Sequence, residues 1–141
     1  MDFIKIFDSK KQAQLLDMGL LLLRVTFGAL MLYSHGWRKL LKFFSEEPIG
    51  FADPIGLGMI ASLVLTVFAE VFCSFLLIVG FSTRLATVPL IITMLVAIFV
   101  IHWDDPFGKK EFALLYLVPY IVIFLTGAGR YSIDALITKK S

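Results

Sequence analysis

The segment Leu85–Trp103 reads LATVPLIITMLVAIFVIHW and carries no ionisable side chain before His102. A helix needs about 20 predominantly apolar residues to cross a hydrocarbon core of about 30 Å, and this segment is close to that length. Its apolar residues follow one another without the alternation that strands of a membrane barrel require. The segment therefore predicts a membrane-spanning helix.

Three further apolar stretches of similar length occupy residues Leu15–Gly36, Met59–Gly80 and Phe112–Gly129. The chain has 141 residues, of which 59% are hydrophobic and 17% charged, and its mean hydropathy is +0.90. A water-soluble domain of this size could not bury so much apolar surface, because small domains bury the smallest fraction of their chain. We predict an all-α membrane protein, an antiparallel bundle of four transmembrane helices that forms a single domain over residues 1–141.

Composition also excludes several classes of function. The one cysteine, Cys73, cannot form an internal dithiol or a four-cysteine iron–sulfur site. The net charge of +2 comes without a basic patch, so no nucleic-acid partner is expected. His35 and His102 lack the spacing of metal ligands, and no metal is predicted.

Two opposite charges fall at the same expected depth. Arg24 lies about 14 Å beyond Leu15, and Glu70 lies about 15 Å from Gly80, at 1.5 Å per helical residue. Each charge alone is costly in a membrane, so we predict a buried ion pair between Arg24 and Glu70. Such a pair can serve as a proton relay or ligand anchor, or it can simply fix the helix register; the sequence leaves both interpretations open.

Other polar side chains are expected near one end of the bundle. His35 and Lys39 extend the helical face that begins at Arg24, and His102 ends the third helix. Tyr116 and Tyr120 flank a proline on the fourth helix. Together with Arg24 and Glu70 these residues form the candidate polar pocket, which could hydrogen-bond a quinone or a lipid headgroup. A packed bundle whose histidines face the headgroups is the alternative.

Orientation follows from counting cations. Seven lysines and arginines lie on the side of the termini, namely Lys5, Lys10, Lys11, Arg84, Arg130, Lys139 and Lys140, against five on the other side, namely Arg38, Lys39, Lys42, Lys109 and Lys110. Cytoplasmic loops carry the excess of positive charge. The bias predicts cytoplasmic termini.

Three motifs resemble the DoxX family. They are Arg24-Val-Thr-Phe-Gly followed by His35-Gly-Trp-Arg-Lys, Ala69-Glu followed by Gly80-Phe-Ser-Thr-Arg-Leu, and the ending Gly127-Ala-Gly-Arg-Tyr-Ser-Ile-Asp. The resemblance implies a small four-helix protein of the bacterial inner membrane. Related DoxD chains are subunits of a thiosulfate:quinone oxidoreductase. Mycobacterial members join a superoxide dismutase and a sulfurtransferase in an oxidative-stress complex.

The resemblance therefore implies a membrane subunit of a redox complex for sulfur or thiol oxidation or for oxidative stress. Its cofactor would be a quinone, and its partners would be the lipid bilayer with a soluble redox enzyme, another subunit or a second copy of the chain. Any enzymatic role would be as a subunit of a quinone-linked oxidoreductase. Two alternatives stay open: a small-solute or proton-coupled transporter with Arg24 and Glu70 in its path, and a non-catalytic scaffold.

Overall fold

The computed structural model describes residues 9–139, and this part of the chain contains helices and loops without a β-strand. Within residues 9–139, three helices are long and apolar enough to cross a membrane: α1 (Ser9–Phe44), α2 (Met59–Val79) and α3 (Thr83–Ile101). They are followed by α4 (Phe107–Thr126) and the short α5 (Ile133–Thr138). The prediction of an all-helical membrane protein is confirmed. The predicted domain, residues 1–141, extends beyond the described residues at both ends. Two of the counted cations, Lys5 and Lys140, lie outside the described residues.

The long helices pack in chain order. Residues 80–82 join α2 to α3, with Gly80 and Ser82 in left-handed conformation at φ of 72° and 47°. The chain reverses within three residues, so α2 and α3 are antiparallel neighbours. Helix α1 packs against α2, α3 against α4, and α4 returns to contact α1.

The distribution of polar and apolar side chains is the reverse of that in a soluble protein. The described helices expose large apolar side chains on their outer faces, for example Leu22, Phe72 and Leu125. Arg24 and Glu70 are 1% and 2% exposed, and Ser62, Ser74, Thr83 and Thr87 are also buried. A lipid environment explains both facts, because apolar outer faces suit hydrocarbon while polar groups must find partners inside the protein.

Two helices are longer than the apolar stretches that predict them. The prediction places the first helix at 15–36 and the fourth at 112–129, whereas α1 runs to Phe44 and α4 begins at Phe107. Hydropathy marks only the apolar part of a helix, and the backbone continues through charged turns until a residue breaks it. Ser45 is extended after α1, and Gly127 at φ 86° ends α4.

Three of the long helices widen into a π-helical turn. The widened segments are Met31–Gly36 in α1, Phe68–Cys73 in α2 and Ala97–Ile101 in α3. A π-turn is rare and frequently marks a functional site, because the extra residue re-aims neighbouring side chains. The segment in α3 lies at its end far from α5, whereas Phe68–Cys73 lies at the middle of α2 with Gly36 of α1 beside it.

Candidate functional site

Residues from all three π-helical turns line a cavity of about 440 Å³. Helices α1 to α4 and the loop 45–58 supply its walls. Binding sites for small molecules typically have volumes of about 300–1,000 Å³, so the cavity can hold one such molecule. Most of its wall is apolar, from residues such as Leu65, Phe68, Ile92, Met94, Ile101 and Phe112.

Five of the seven predicted pocket residues line this one cavity: His35, Lys39, Glu70, His102 and Tyr116. The other two, Arg24 and Tyr120, do not. Tyr120 is fully buried in the core, with its hydroxyl 3.4 Å from the carbonyl oxygen of Phe27. The structure therefore brings together the polar residues nearest the α3–α4 connection and separates them from Arg24.

The central polar contact is an ion pair between Lys39 and Glu70. Lys39 Nζ lies 2.5 Å from Glu70 Oε1, and the Lys39 side chain is 26% exposed against 3% for Glu70. The second carboxylate oxygen, Oε2, is buried without a hydrogen-bond partner. Gly36 permits this contact, because a Cβ there would stand 2.7 Å from the backbone oxygen of Glu70.

The predicted ion pair between Arg24 and Glu70 is not formed. Glu70 contacts α1 at Gly36, whereas Arg24 lies against Gly80, which follows the last residue of α2. Ten helical residues separate Glu70 from Gly80, a distance of about 15 Å along the axis. The prediction placed the membrane edge of α1 at Leu15, but α1 extends well past the end of α2, so Arg24 lies near that end instead of at mid-depth.

Arg24 instead anchors the C-terminal segment. Its Nη2 donates to the carbonyl oxygen of Tyr131. The carboxylate of Asp134 accepts the backbone N–H groups of Ser82 and Thr83 at 2.6 and 2.9 Å, which caps the start of α3. This network closes the end of the bundle opposite the cavity and joins the motif that begins at Arg24 to the ending 127–134.

Aromatic contacts fix the rings that face the cavity. The imidazole of His35 packs edge-on against Tyr116 with ring centroids 5.5 Å apart. Tyr116 in turn packs against Phe27 at 5.7 Å and Tyr120 at 6.2 Å. His35 is thus positioned from α4 as well as from its own helix.

A second charged group stands where α3 meets the following loop. His102 Nδ1 lies 2.7 Å from Asp105 Oδ2, and Lys109 Nζ donates to Asp105 Oδ1 at 3.0 Å. These hydrogen bonds, that of His102 first, hold the pKa of Asp105 below its usual range. His102 and Lys109 line the cavity. Sequence reasoning selected His102 but paired neither His102 with Asp105 nor Asp105 with Lys109, although the spacings of three and four residues were the available signal.

The loop 45–58 covers the cavity with Phe51, Pro54 and Ile55. Asp53 holds the loop to the start of α2, because its carboxylate accepts the N–H groups of Leu57 and Gly58, each at 2.9 Å. The hydrogen bond from Gly58 is the main cause that lowers the pKa of Asp53. This covering loop was not predicted as part of the site.

Comparisons with known proteins identify one family and two relatives. The DoxX family model matches residues 19–103. A protein of Bacillus subtilis (strain 168) with the printed name "Putative oxidoreductase CatD" is 32% identical over 124 residues, which cover 87% of this chain and 90% of that protein. An uncharacterized protein of Haemophilus influenzae is 35% identical over 75 residues, half of each chain. No solved structure matches the chain.

Proposed function

The chain belongs to the DoxX family, and we propose that it is an integral membrane subunit of a redox complex whose cavity takes a quinone. In this proposal α4 joins α1 to α3 as a fourth span, and the whole chain forms one domain. The protein lies in a bacterial inner membrane with cytoplasmic termini, so the cavity faces the opposite side. The name of the Bacillus subtilis relative supports the redox assignment.

The observation that carries the proposal is the pairing of apolar walls with a few polar groups in one cavity. Apolar residues of α2 and α3 suit a ring and its aliphatic tail, while Lys39, His35 and His102 offer hydrogen-bond donors to carbonyl oxygens. A bound quinone supplies the exchange of two electrons and two protons. The residues present therefore fit the group.

The chain's own residues have separable roles in this function. Glu70 holds Lys39 in the cavity, and Tyr116 holds the ring of His35. With Nδ1 of His102 turned to Asp105, its Nε2 is the nitrogen left to take or give a proton at the cavity. The covering loop with Phe51 limits the entry of water from the side that carries His102.

The electrons must pass through another protein. Cys73, the one cysteine of the chain, is buried, so the chain has no internal dithiol that could carry electrons. The proposal therefore includes a partner, either a soluble redox enzyme or a further subunit, acting in sulfur or thiol oxidation or in the response to oxidative stress. A second copy of the chain is compatible with this arrangement.

Equilibrium binding of a decyl-substituted benzoquinone tests the proposal. Titration calorimetry on the protein in lipid nanodiscs should show saturable binding, and His35→Ala should weaken it about tenfold, the value of one lost hydrogen bond to a buried group. Tyr33→Ala is the matched control, because Tyr33 lies on the same turn of α1 and is 79% exposed.

Absence of binding to the wild type, or equal affinity in His35→Ala, would remove the quinone site. A scaffold function would then lead if the protein still retained a partner in detergent. Uptake of a solute by liposomes that contain this protein alone would favour the transporter.

A further inference from the structure

Glu70 leaves one strong hydrogen-bond acceptor unused in the cavity wall. Among the described residues that line the cavity it is the single acidic side chain. Oε1 accepts from Lys39, whereas Oε2 has no partner although it is buried. A buried charged acceptor without a donor costs free energy, and native structures rarely leave one unsatisfied. The second oxygen therefore calls for a donor from a ligand.

The serine and threonine hydroxyl groups of the wall donate to other acceptors, and Tyr116, which also lines the cavity, makes no hydrogen bond to Glu70 in the described part of the chain. Ser62 Oγ donates to Asp53, Thr66 Oγ1 to the carbonyl of Ser62, and Thr93 Oγ1 to the carbonyl of Pro89. Lys39 is the one described side chain that bonds to the carboxylate. Because rotation about the last side-chain bond of a glutamate is soft, either carboxylate oxygen can turn to a ligand.

We propose that the cavity selects ligands with an aromatic hydroxyl group, and so prefers the hydroquinone to the quinone. This inference rests on the proposed function. A carboxylate only accepts hydrogen bonds, and a quinone oxygen likewise only accepts, so the oxidised ligand leaves Glu70 unsatisfied. The hydroxyl of a hydroquinone donates to Glu70, and its oxygen still accepts from Lys39, whose ammonium has three donors.

Selectivity of this kind changes the potential of the bound carrier. A ligand that binds better when reduced is easier to reduce in the site than in the lipid. For a two-electron couple each tenfold preference raises the potential by about 30 mV. The site would thus favour reduction of the carrier by the partner and slow release of the product.

Two pairs of probes test the preference. Under anaerobic conditions, wild-type protein in nanodiscs should bind 2-methyl-1,4-naphthohydroquinone about tenfold more tightly than the corresponding quinone. The redox-inert pair 4-heptylphenol and its methyl ether should show the same order, because only the phenol donates. Glu70→Gln should reduce both preferences to about twofold, since a neutral amide is a weaker acceptor.

Two further variants test whether the preference depends on the Glu70 carboxylate. Ser74→Ala changes a buried hydroxyl one turn from Glu70, outside the cavity wall, and should keep the wild-type preference. If Glu70→Gln does not fold, Lys39→Met with Glu70→Gln removes both charges and should also lose the preference.

Equal affinities for the members of each pair, or a preference that survives in the Glu70 variants, would overturn the inference while the quinone site stands. Absence of binding for all four probes would remove the proposed function and the inference together. If the wild type binds the phenol more tightly than its methyl ether and the Glu70 variants do not, the result would support both the proposed function and the inference.

Discussion

Glu70 brings a negative charge into the interior of the protein, where its side chain is 3% exposed and Lys39 is its partner. The two residues do not share this burial equally. The longer Lys39 side chain, at 26% exposure, can turn its ammonium toward the headgroups, as amphipathic side chains do. The carboxylate of Glu70 has no such exit. The pair is therefore asymmetric: loss of Lys39 strands a buried charge, and loss of Glu70 does not.

This asymmetry predicts unequal effects of the two single mutations. Lys39→Met should lower the free energy of unfolding in detergent by about 3–5 kcal/mol, the range for an uncompensated buried charge. Glu70→Leu should cost less, because Lys39 can reach solvent. The double mutant should recover much of the loss.

Arg24 supplies the matched comparison, because it contacts the C-terminal segment and not Glu70. The losses in Arg24→Met and Glu70→Leu should add in the double mutant within about 0.5 kcal/mol, as expected for distant sites. Additive losses for Lys39 with Glu70, or coupling between Arg24 and Glu70, would contradict the observed pairing.

Asp53 predicts a pH dependence of the covering loop. Its pKa is lower in the folded protein than in the unfolded chain, chiefly because Gly58 donates to it. Its hydrogen bonds therefore stabilise the loop fully above the unfolded pKa of about 3.9, and this contribution is lost as the pH falls through the folded pKa. The protection of the Leu57 and Gly58 amides against hydrogen exchange, relative to the intrinsic rate at each pH, should fall over that acidic window.

The control for this titration lies in the other connection on the same side. Asp53→Asn should remove the acid-dependent step in exchange, whereas Asp104→Asn should leave it, because Asp104 is exposed in the α3–α4 loop. An unchanged step in Asp53→Asn would assign the titration to another group.

At the scale of the helix, the length of each apolar stretch predicted most of the helix bounds. It did not predict the local backbone geometry within the helices. The predicted 59–80 and 85–103 agree within two residues with Met59–Val79 and Thr83–Ile101, because lipid demands a continuous apolar run. The three π-turns had no such signal. They depend on packing between helices, which a single helix's hydropathy does not contain.

The sequence predicted which residues belong to the candidate site, but it did not predict which of them pair across the helices. His35, Lys39, His102 and Tyr116 do line one cavity, since polar residues of membrane helices turn inward. The predicted partner of Glu70, Arg24, was wrong. Hydropathy determines neither the depth of a helix in the membrane nor its axial position relative to a neighbouring helix. Gly28 and Gly36 were the sequence signal for this axial position. Both contact the backbone of α2, so they determine which residues of α1 and α2 lie side by side.

Gly36 should therefore tolerate no side chain. In Gly36→Ala the new Cβ would stand 2.7 Å from the backbone oxygen of Glu70, so α1 and α2 must move apart. The expected loss is about 1–3 kcal/mol, the usual cost of overpacking, read from thermal unfolding in detergent. Quinone binding should weaken as well, because Lys39 and Glu70 shift with the helices.

Gly19 offers the opposite case on the same helix. No atom lies within 4 Å of its Cβ position, so Gly19→Ala should stabilise α1 by about 0.5–1 kcal/mol through helix propensity. Equal effects of alanine at Gly19 and Gly36 would show that the α1–α2 contact does not depend on Gly36.

On the scale of the whole molecule, the two ends of the bundle differ in construction. At one end Arg24, Tyr131 and Asp134 tie the C-terminal segment to the α2–α3 turn. Toward the other end, the covering loop and residues from the three π-turns line the cavity. Side-chain hydrogen bonds to the backbone close the first end, whereas a loop that Asp53 ties to the start of α2 covers the second. A ligand would therefore enter at the end with the covering loop or from the lipid beside it.

The end with the covering loop is expected to face the outside of the cell. The excess of cations at the end with the termini predicts that the end with α5 is cytoplasmic and that the covering loop lies outside. Cys73 is buried, so Cys73→Ser gives a background for single cysteines at two exposed positions, Ser45→Cys before the loop and Lys139→Cys after α5. In bacterial spheroplasts an impermeant maleimide should label Ser45→Cys at once and Lys139→Cys only after permeabilisation. Labelling of Lys139→Cys alone in intact spheroplasts would reverse the orientation and place the cavity mouth in the cytoplasm, where the partner that supplies electrons would also have to be sought.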